Sequence, residues 1–269
     1  WLLELGFRLP KKIYCTMIGE YILARGLPVK KSLKERSIIF GGWISYDHPA
    51  IAETFALTGF DFLAIDMEHA PISLASAQRI ISISQAYKTP CLPRPVSHSN
   101  DFFKPLLDSG ADGLIVQMVE SFEEVEQISN YLKYPPIGNR TYGVNRAQAF
   151  GLNFKNYVNN WNKESILIVQ IESKKGVDNI DKIVSHPTVD GVMIGPYDLS
   201  GSLGLPGEID HPKVIDASNK VIKTCAKYKK SCGTQISNVD ESKIDEALNQ
   251  GYTFVILSSD LFVLSNWAQ

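Results

Sequence analysis

Several polar side chains stand where short apolar runs of the sequence end, in types that move protons, hold cations and stabilise oxyanions. Asp66 closes one run and leads into Glu68-His69-Ala70-Pro71. Arg94 closes another, Gln117 a third, Gln170 and Glu172 a fourth, and Gly195-Pro-Tyr197-Asp198-Leu-Ser200 follows a fifth. Glu172 and Asp198 offer hard oxygen donors with no Cys or second His beside them, which suits Mg²⁺ or Mn²⁺ better than a structural zinc. Two such ligands leave an octahedral ion open positions for a substrate that binds through two oxygens. Asp66 and His69 have the types of a dyad in which the carboxylate orients the imidazole and the other ring nitrogen moves a proton. Arg94, between Pro93 and Pro95, is held on extended backbone, and its forked donors match an enolate oxygen or a carboxylate. Singly, each residue has a plainer explanation as a solvated rim group, and Arg94 as an ion pair with Asp66 or Asp108. Chemistry is indicated only if the fold brings them to one face.

The elements that must do this alternate. Strand candidates are Ile38–Ile44, Phe60–Asp66, Pro90–Arg94, Gly113–Gln117, Ile166–Glu172, Gly191–Gly195, Cys232–Ile236 and Phe254–Ser258. Amphipathic helical patterns lie between them at Pro49–Thr58, Ser73–Ala86, Asn100–Ser109, Ser121–Leu132, Gly176–Val184, Pro212–Tyr228 and Glu241–Gln250. Gly59, Gly110 and Gly251 stand where left-handed helix caps fall. The order predicts an α/β fold, a TIM-type (β/α)₈ barrel, whose catalytic groups come from the carboxyl ends of different strands. Residues 134–164, rich in Pro, Gly and Asn, are expected as a loop over the barrel mouth. Residues 37–269 form the barrel domain on this reading, and residues 1–36 an extension of unknown role.

Composition narrows the function. The chain has 269 residues and a net charge of -2, with no basic field for nucleic acid. No long apolar run indicates a membrane span, and the opening, on Trp1, lacks a signal-peptide layout. The four cysteines, Cys15, Cys91, Cys225 and Cys232, read as reduced thiols of a cytoplasmic protein. His48, His98, His186 and His211 read as surface or capping residues.

Asp66-Met-Glu-His-Ala-Pro71, Arg94-Pro95, Gln170-Ile-Glu172 and Gly195-Pro-Tyr-Asp-Leu-Ser200 together resemble the HpcH/HpaI family of class II pyruvate aldolases, from about Ser37 to Ser259. The resemblance implies reversible cleavage of a 4-hydroxy-2-oxo acid to pyruvate and an aldehyde through a metal-stabilised enolate. It implies a divalent ion (Mg²⁺, Mn²⁺ or Co²⁺) on Glu172 and Asp198, and Arg94 at the enolate oxygen. His69, oriented by Asp66, manages the proton on the aldol hydroxyl; Glu68 stands behind them, Gln170 supports the ligand geometry, and the backbone near Tyr197 and Asp198 holds the substrate carboxylate. It also implies a homo-oligomer, a hexamer, in which Asp108 contributes from a neighbour. The few residues after Ser258 leave little more than two turns for the helix that members of the family exchange. A related carbon–carbon bond-forming synthase (citrate-synthase-like) would use the same site. A non-catalytic acid-binding barrel is the reading from another class. A Schiff-base aldolase would need a lysine pointing inward from a strand, and the strand candidates offer none.

Overall fold

The computed structural model describes residues 29–269. Eight strands, β1 (Ile39–Ile44), β2 (Phe62–Asp66), β3 (Cys91–Arg94), β4 (Gly113–Val116), β5 (Ile166–Ile171), β6 (Gly191–Ile194), β7 (Ser231–Ile236) and β8 (Phe254–Ser259), run parallel in the order β3-β2-β1-β8-β7-β6-β5-β4. At the remaining seam the Asp112 N–H donates to the Cys91 carbonyl at 3.0 Å, and the Asp112 carboxylate accepts the Cys91 N–H at 2.8 Å. The sheet therefore rolls into a nearly closed barrel with helices between successive strands, as the alternation predicted.

Nearly every strand residue is buried, because one face fills the barrel and the other meets the helices. The two faces separate into two apolar clusters. Trp43, Phe62, Ala64, Leu92, Ile115, Ile168, Met193, Phe254 and Ile256 fill the interior, while alternate residues such as Ile65, Leu114, Val116, Val169 and Ile171 pack outward. The interior is tight: a Cβ on Gly233 would stand 2.2 Å from the Phe254 ring. Gly59, Gly110 and Gly251 take φ values of 92°, 98° and 104°, so the expected left-handed caps are present.

The helix Val29–Glu35 closes the barrel floor, at the strands' amino ends. Val29 and Leu33 join the interior cluster, Lys30 Nζ donates to the Ser165 carbonyl (2.7 Å) and Asp190 (2.6 Å), and the Leu33 carbonyl accepts from Ser231 Oγ at 2.8 Å. This helix lies in the expected extension; residues 1–28 of that extension, Cys15 among them, lie outside the described residues.

Residues 134–164 do not cover the mouth. They contain a helical turn, Arg146–Gly151, and a helix, Phe154–Glu164, that runs into the start of β5. Trp161 Nε1 donates to the Leu132 carbonyl (2.7 Å), and Lys133 Nζ donates to the Asn162 carbonyl (3.0 Å), which ties the segment to the flank and floor. Its apolar residues Tyr157 and Trp161 fall at helical spacing and pack inward, which the Asn-rich composition obscured. The pattern read as one helix at Gly176–Val184 divides at Asn179 into Lys174–Asp178 and Ile180–Ser185. No described helix is long and apolar enough to cross a membrane.

Candidate active site

Strand parity decides which polar side chains enter the barrel mouth. Asp66 continues the inward series Phe62-Ala64, Arg94 follows Leu92, Gln117 follows Ile115, and Gln170 and Glu172 follow Ile168. Asp66, Arg94, Gln117, Gln170 and Glu172 are all under 10% exposed, so the polar face predicted at the strand ends exists and is buried.

Arg94 organises it. Its Nη2 donates to Asp66 Oδ1 at 2.9 Å, its Nε stands 3.2 Å from Glu68 Oε2, and its Nη1 donates to Gln170 Oε1 at 3.3 Å. The guanidinium carbon lies 4.7 Å from the centre of the Trp43 ring, so the aromatic face fixes its plane. Gln170 Nε2 donates to Glu172 Oε1 at 2.8 Å. One chain of hydrogen bonds thus links Asp66, Arg94, Gln170 and Glu172 across the ends of three strands, β2, β3 and β5.

Burial raises Asp66, but Arg94 and the His69 backbone N–H outweigh it and hold that carboxyl below its ordinary value. Burial raises Glu68 above its ordinary value despite Arg94. Glu172 is pushed up to about 7 by burial, against a hydrogen bond from the Met118 N–H at 3.0 Å. Met118 occupies the left-handed region, with φ of 48°, which turns that N–H toward the carboxylate.

Asp198 lies in the short helix Pro196–Ser202 and is exposed at the rim, where its charge acts on both Glu68 and Glu172. A Cβ on Gly195 would stand 2.4 Å from Glu172 Oε1, so the missing side chain is what lets that carboxylate lie against β6. Among the described residues no group of three His, Cys, Asp or Glu has metal-binding spacing, so an ion here would rest on a carboxylate pair. The fit is favourable: a buried carboxylate raised to about 7 gains from a cation, and both donors are hard oxygens.

The expected Asp66–His69 dyad differs in detail. Asp66 Oδ1 accepts the His69 backbone N–H at 3.1 Å, while the imidazole projects outward, 66% exposed, with Nε2 3.7 Å from Glu68 Oε2. Arg94 already occupies the Asp66 carboxylate, and a residue three positions on offers its backbone there rather than its ring. Tyr197 is 62% exposed beside Asp198. Asp108 is not at this mouth: it ends the helix Asn100–Asp108 and pairs with Arg140 at 2.9 Å.

Trp43 and Met118 were not read from sequence, since their contributions are a ring face and a backbone N–H; Gly195 was read as part of its motif but not for the missing Cβ. His98 Nε2 bonds to the Gln117 carbonyl at 2.6 Å, and His186 is buried between Phe122 and Glu126 rather than on the surface. His48 and His211 cap helices as expected.

The profile of the HpcH/HpaI aldolase/citrate lyase family matches residues 40–266. The chain belongs to this family. Its HpcH/HpaI relatives include the hydroxypyruvate/pyruvate aldolase of Roseobacter denitrificans, 37% identical over 88% of this chain and 92% of that protein. The 2-keto-3-deoxy-L-rhamnonate aldolase of Escherichia coli K12 is 34% identical over 89% of each. An HpcH/HpaI aldolase/citrate lyase family protein from Burkholderia cenocepacia superposes with a TM-score of 0.84 at 30% identity, covering 89% of this chain and 95% of that one.

Proposed function

We propose that this chain is a class II aldolase that reversibly cleaves a 4-hydroxy-2-oxo acid into pyruvate and an aldehyde. The observation that carries the reading is the buried chain Asp66–Arg94–Gln170–Glu172, which presents a fixed cation and a carboxylate at the base of one mouth. Family membership and aldolase relatives support it.

Glu172 and Asp198 would hold a divalent ion (Mg²⁺, Mn²⁺ or Co²⁺). Such an ion supplies Lewis-acid polarisation of the 2-oxo acid. Arg94, locked by Asp66, Gln170 and Trp43, faces the oxygen on which enolate charge develops and needs no reorientation as it does. His69, at the rim, takes the proton from the C4 hydroxyl as the C3–C4 bond breaks. The bond pair becomes the enolate, C4 leaves as the aldehyde carbonyl, and protonation at C3 gives pyruvate. In synthesis the same steps reverse. Gln170 keeps Arg94 and Glu172 in register, Glu68 stands between Arg94 and His69, and the backbone near Tyr197 and Asp198 receives the substrate carboxylate.

Assembly into a homo-oligomer belongs to the same reading. Asp108, away from its own mouth, would serve a site only from a second copy.

The test is pyruvate release from 4-hydroxy-2-oxo acids by chelator-treated protein, with each ion restored, beside Glu172→Gln. Restored cleavage that the substitution lowers at least about 100-fold supports the reading. Cleavage indifferent to chelation overturns the metal assignment. No cleavage of any substrate favours the synthase or the non-catalytic barrel.

A further inference from the structure

The fourth strand end carries a residue that the proposed chemistry leaves unused. Gln117 follows β4 and is 4% exposed, and its side-chain oxygen Oε1 has no hydrogen-bond partner among the described residues. A buried acceptor without a donor is costly unless something else supplies the donor.

Strand register and backbone hydrogen bonds fix its position. Val116 pairs with Val169, so Gln117 lies abreast of Gln170, and the inward parity of Ile115 and Ile168 carries to both. The backbone is anchored on either side, by His98 Nε2 at the Gln117 carbonyl (2.6 Å) and by the Met118 N–H at Glu172 (3.0 Å). The bond from Arg94 on β3 to Gln170 on β5 spans β4, so the strand end that carries Gln117 lies between those two residues. The neighbouring donors point elsewhere: Arg94 to Asp66, Glu68 and Gln170, and the Gln170 amide N–H to Glu172. Gln117 thus belongs to the buried base of the mouth, where the 2-oxo acid would meet Arg94. The aldehyde would approach from the exposed rim of His69 and Tyr197.

The chemistry of the bound acid then decides what can satisfy Oε1. An ionised carboxylate and a keto oxygen only accept hydrogen bonds, and the methyl of pyruvate does neither. The group on the donor acid that can donate is a hydroxyl on C3, the carbon that becomes the nucleophile. We propose that Gln117 selects 2-oxo acid donors that carry a C3 hydroxyl, of which hydroxypyruvate is the smallest, over pyruvate. The inference rests on the aldolase reading above and names the donor class of that same site.

The experiment measures kcat/KM for aldol addition to one fixed aldehyde with hydroxypyruvate and with pyruvate, for the wild type and Gln117→Met. The wild type is expected to favour hydroxypyruvate. The substitution is expected to lower the hydroxypyruvate-to-pyruvate ratio about 10- to 100-fold, because only the hydroxylated donor loses a partner. An unchanged ratio overturns the proposal, whether both reactions fall together or neither moves. It would mean that the amide serves groups common to both acids, or that its oxygen holds a water. Turnover with neither donor by the wild type defeats the aldolase reading instead. Calorimetric titration of both acids into both proteins then decides selectivity alone: tighter hydroxypyruvate binding that Gln117→Met erases supports it, and equal binding overturns it.

Discussion

Arg94 shows how much one residue carries here. It touches Asp66, Glu68, Gln170 and the face of Trp43, so its charge is balanced and its plane fixed before substrate arrives. Lysine at this position would keep a charge but lose the fork and the stacking. Arg94→Lys is expected to lower kcat/KM about 100- to 1,000-fold while the fold survives, read by steady-state kinetics beside circular dichroism. Gly195 makes the complementary point, because its contribution is space. Gly195→Ala would drive a Cβ to within 2.4 Å of Glu172 Oε1, and either the carboxylate or β6 must move. We expect affinity for Mn²⁺ to fall about 10- to 100-fold and stability by about 1–3 kcal/mol, measured by titration calorimetry and thermal unfolding. That Asp66, Arg94, Gln170 and Glu172 stand together at strand ends was legible in sequence, because their types and the limits of the apolar runs were. The Asp66–His69 contact was not legible as it stands, because Asp66 had two partners to choose from and only three-dimensional placement ranks them.

Among the elements, the floor of the barrel behaves differently from its mouth. Lys30, Lys133 and Lys230 converge there on backbone carbonyls and Asp190: Lys30 on Asp190 and the Ser165 carbonyl, Lys133 on Ser165, and Lys230 on the Val189 carbonyl. Burial, helped by the neighbouring Lys30, pushes Lys133 down to about 7 from 10.5. Between those values the unfolded chain binds a proton that the folded one has shed, so stability should rise with pH from about 7 to 10.5. Urea unfolding across that range should show the rise, and Lys133→Met should flatten it. Asp190→Asn would strand Lys30 and is expected to cost about 3–5 kcal/mol in the same assay. None of this floor was legible beforehand. The helix Val29–Glu35 is short, and the expectation of a mouth loop at 134–164 rested on composition, whereas the placement rests on where Trp161 and Tyr157 find cover.

For the whole molecule, the segment after Arg140 and the final helix leave apolar groups uncovered. Leu152 is 95% exposed, Phe150 72% and Trp267 74%, more than isolated surface residues account for. The protein should therefore sediment as a multiple of the single-chain mass, and Leu152→Asp combined with Trp267→Asp should shift it to smaller species; a wild-type monomer would refute this. The barrel itself was written in the sequence, since eight apolar runs alternating with amphipathic stretches have few other ways to bury both strand faces. So was the polar character of the mouth, because several of the apolar runs end on polar side chains. The tertiary structure alone decided which strand-end groups face inward together, that Arg94 reaches across β4 to Gln170, and that Gln117 is left with a buried, unanswered oxygen. Periodicity is a property of neighbouring residues and survives in a linear string. Contacts between strands far apart in the chain depend on register and on which partner is nearer, and the string does not contain those distances.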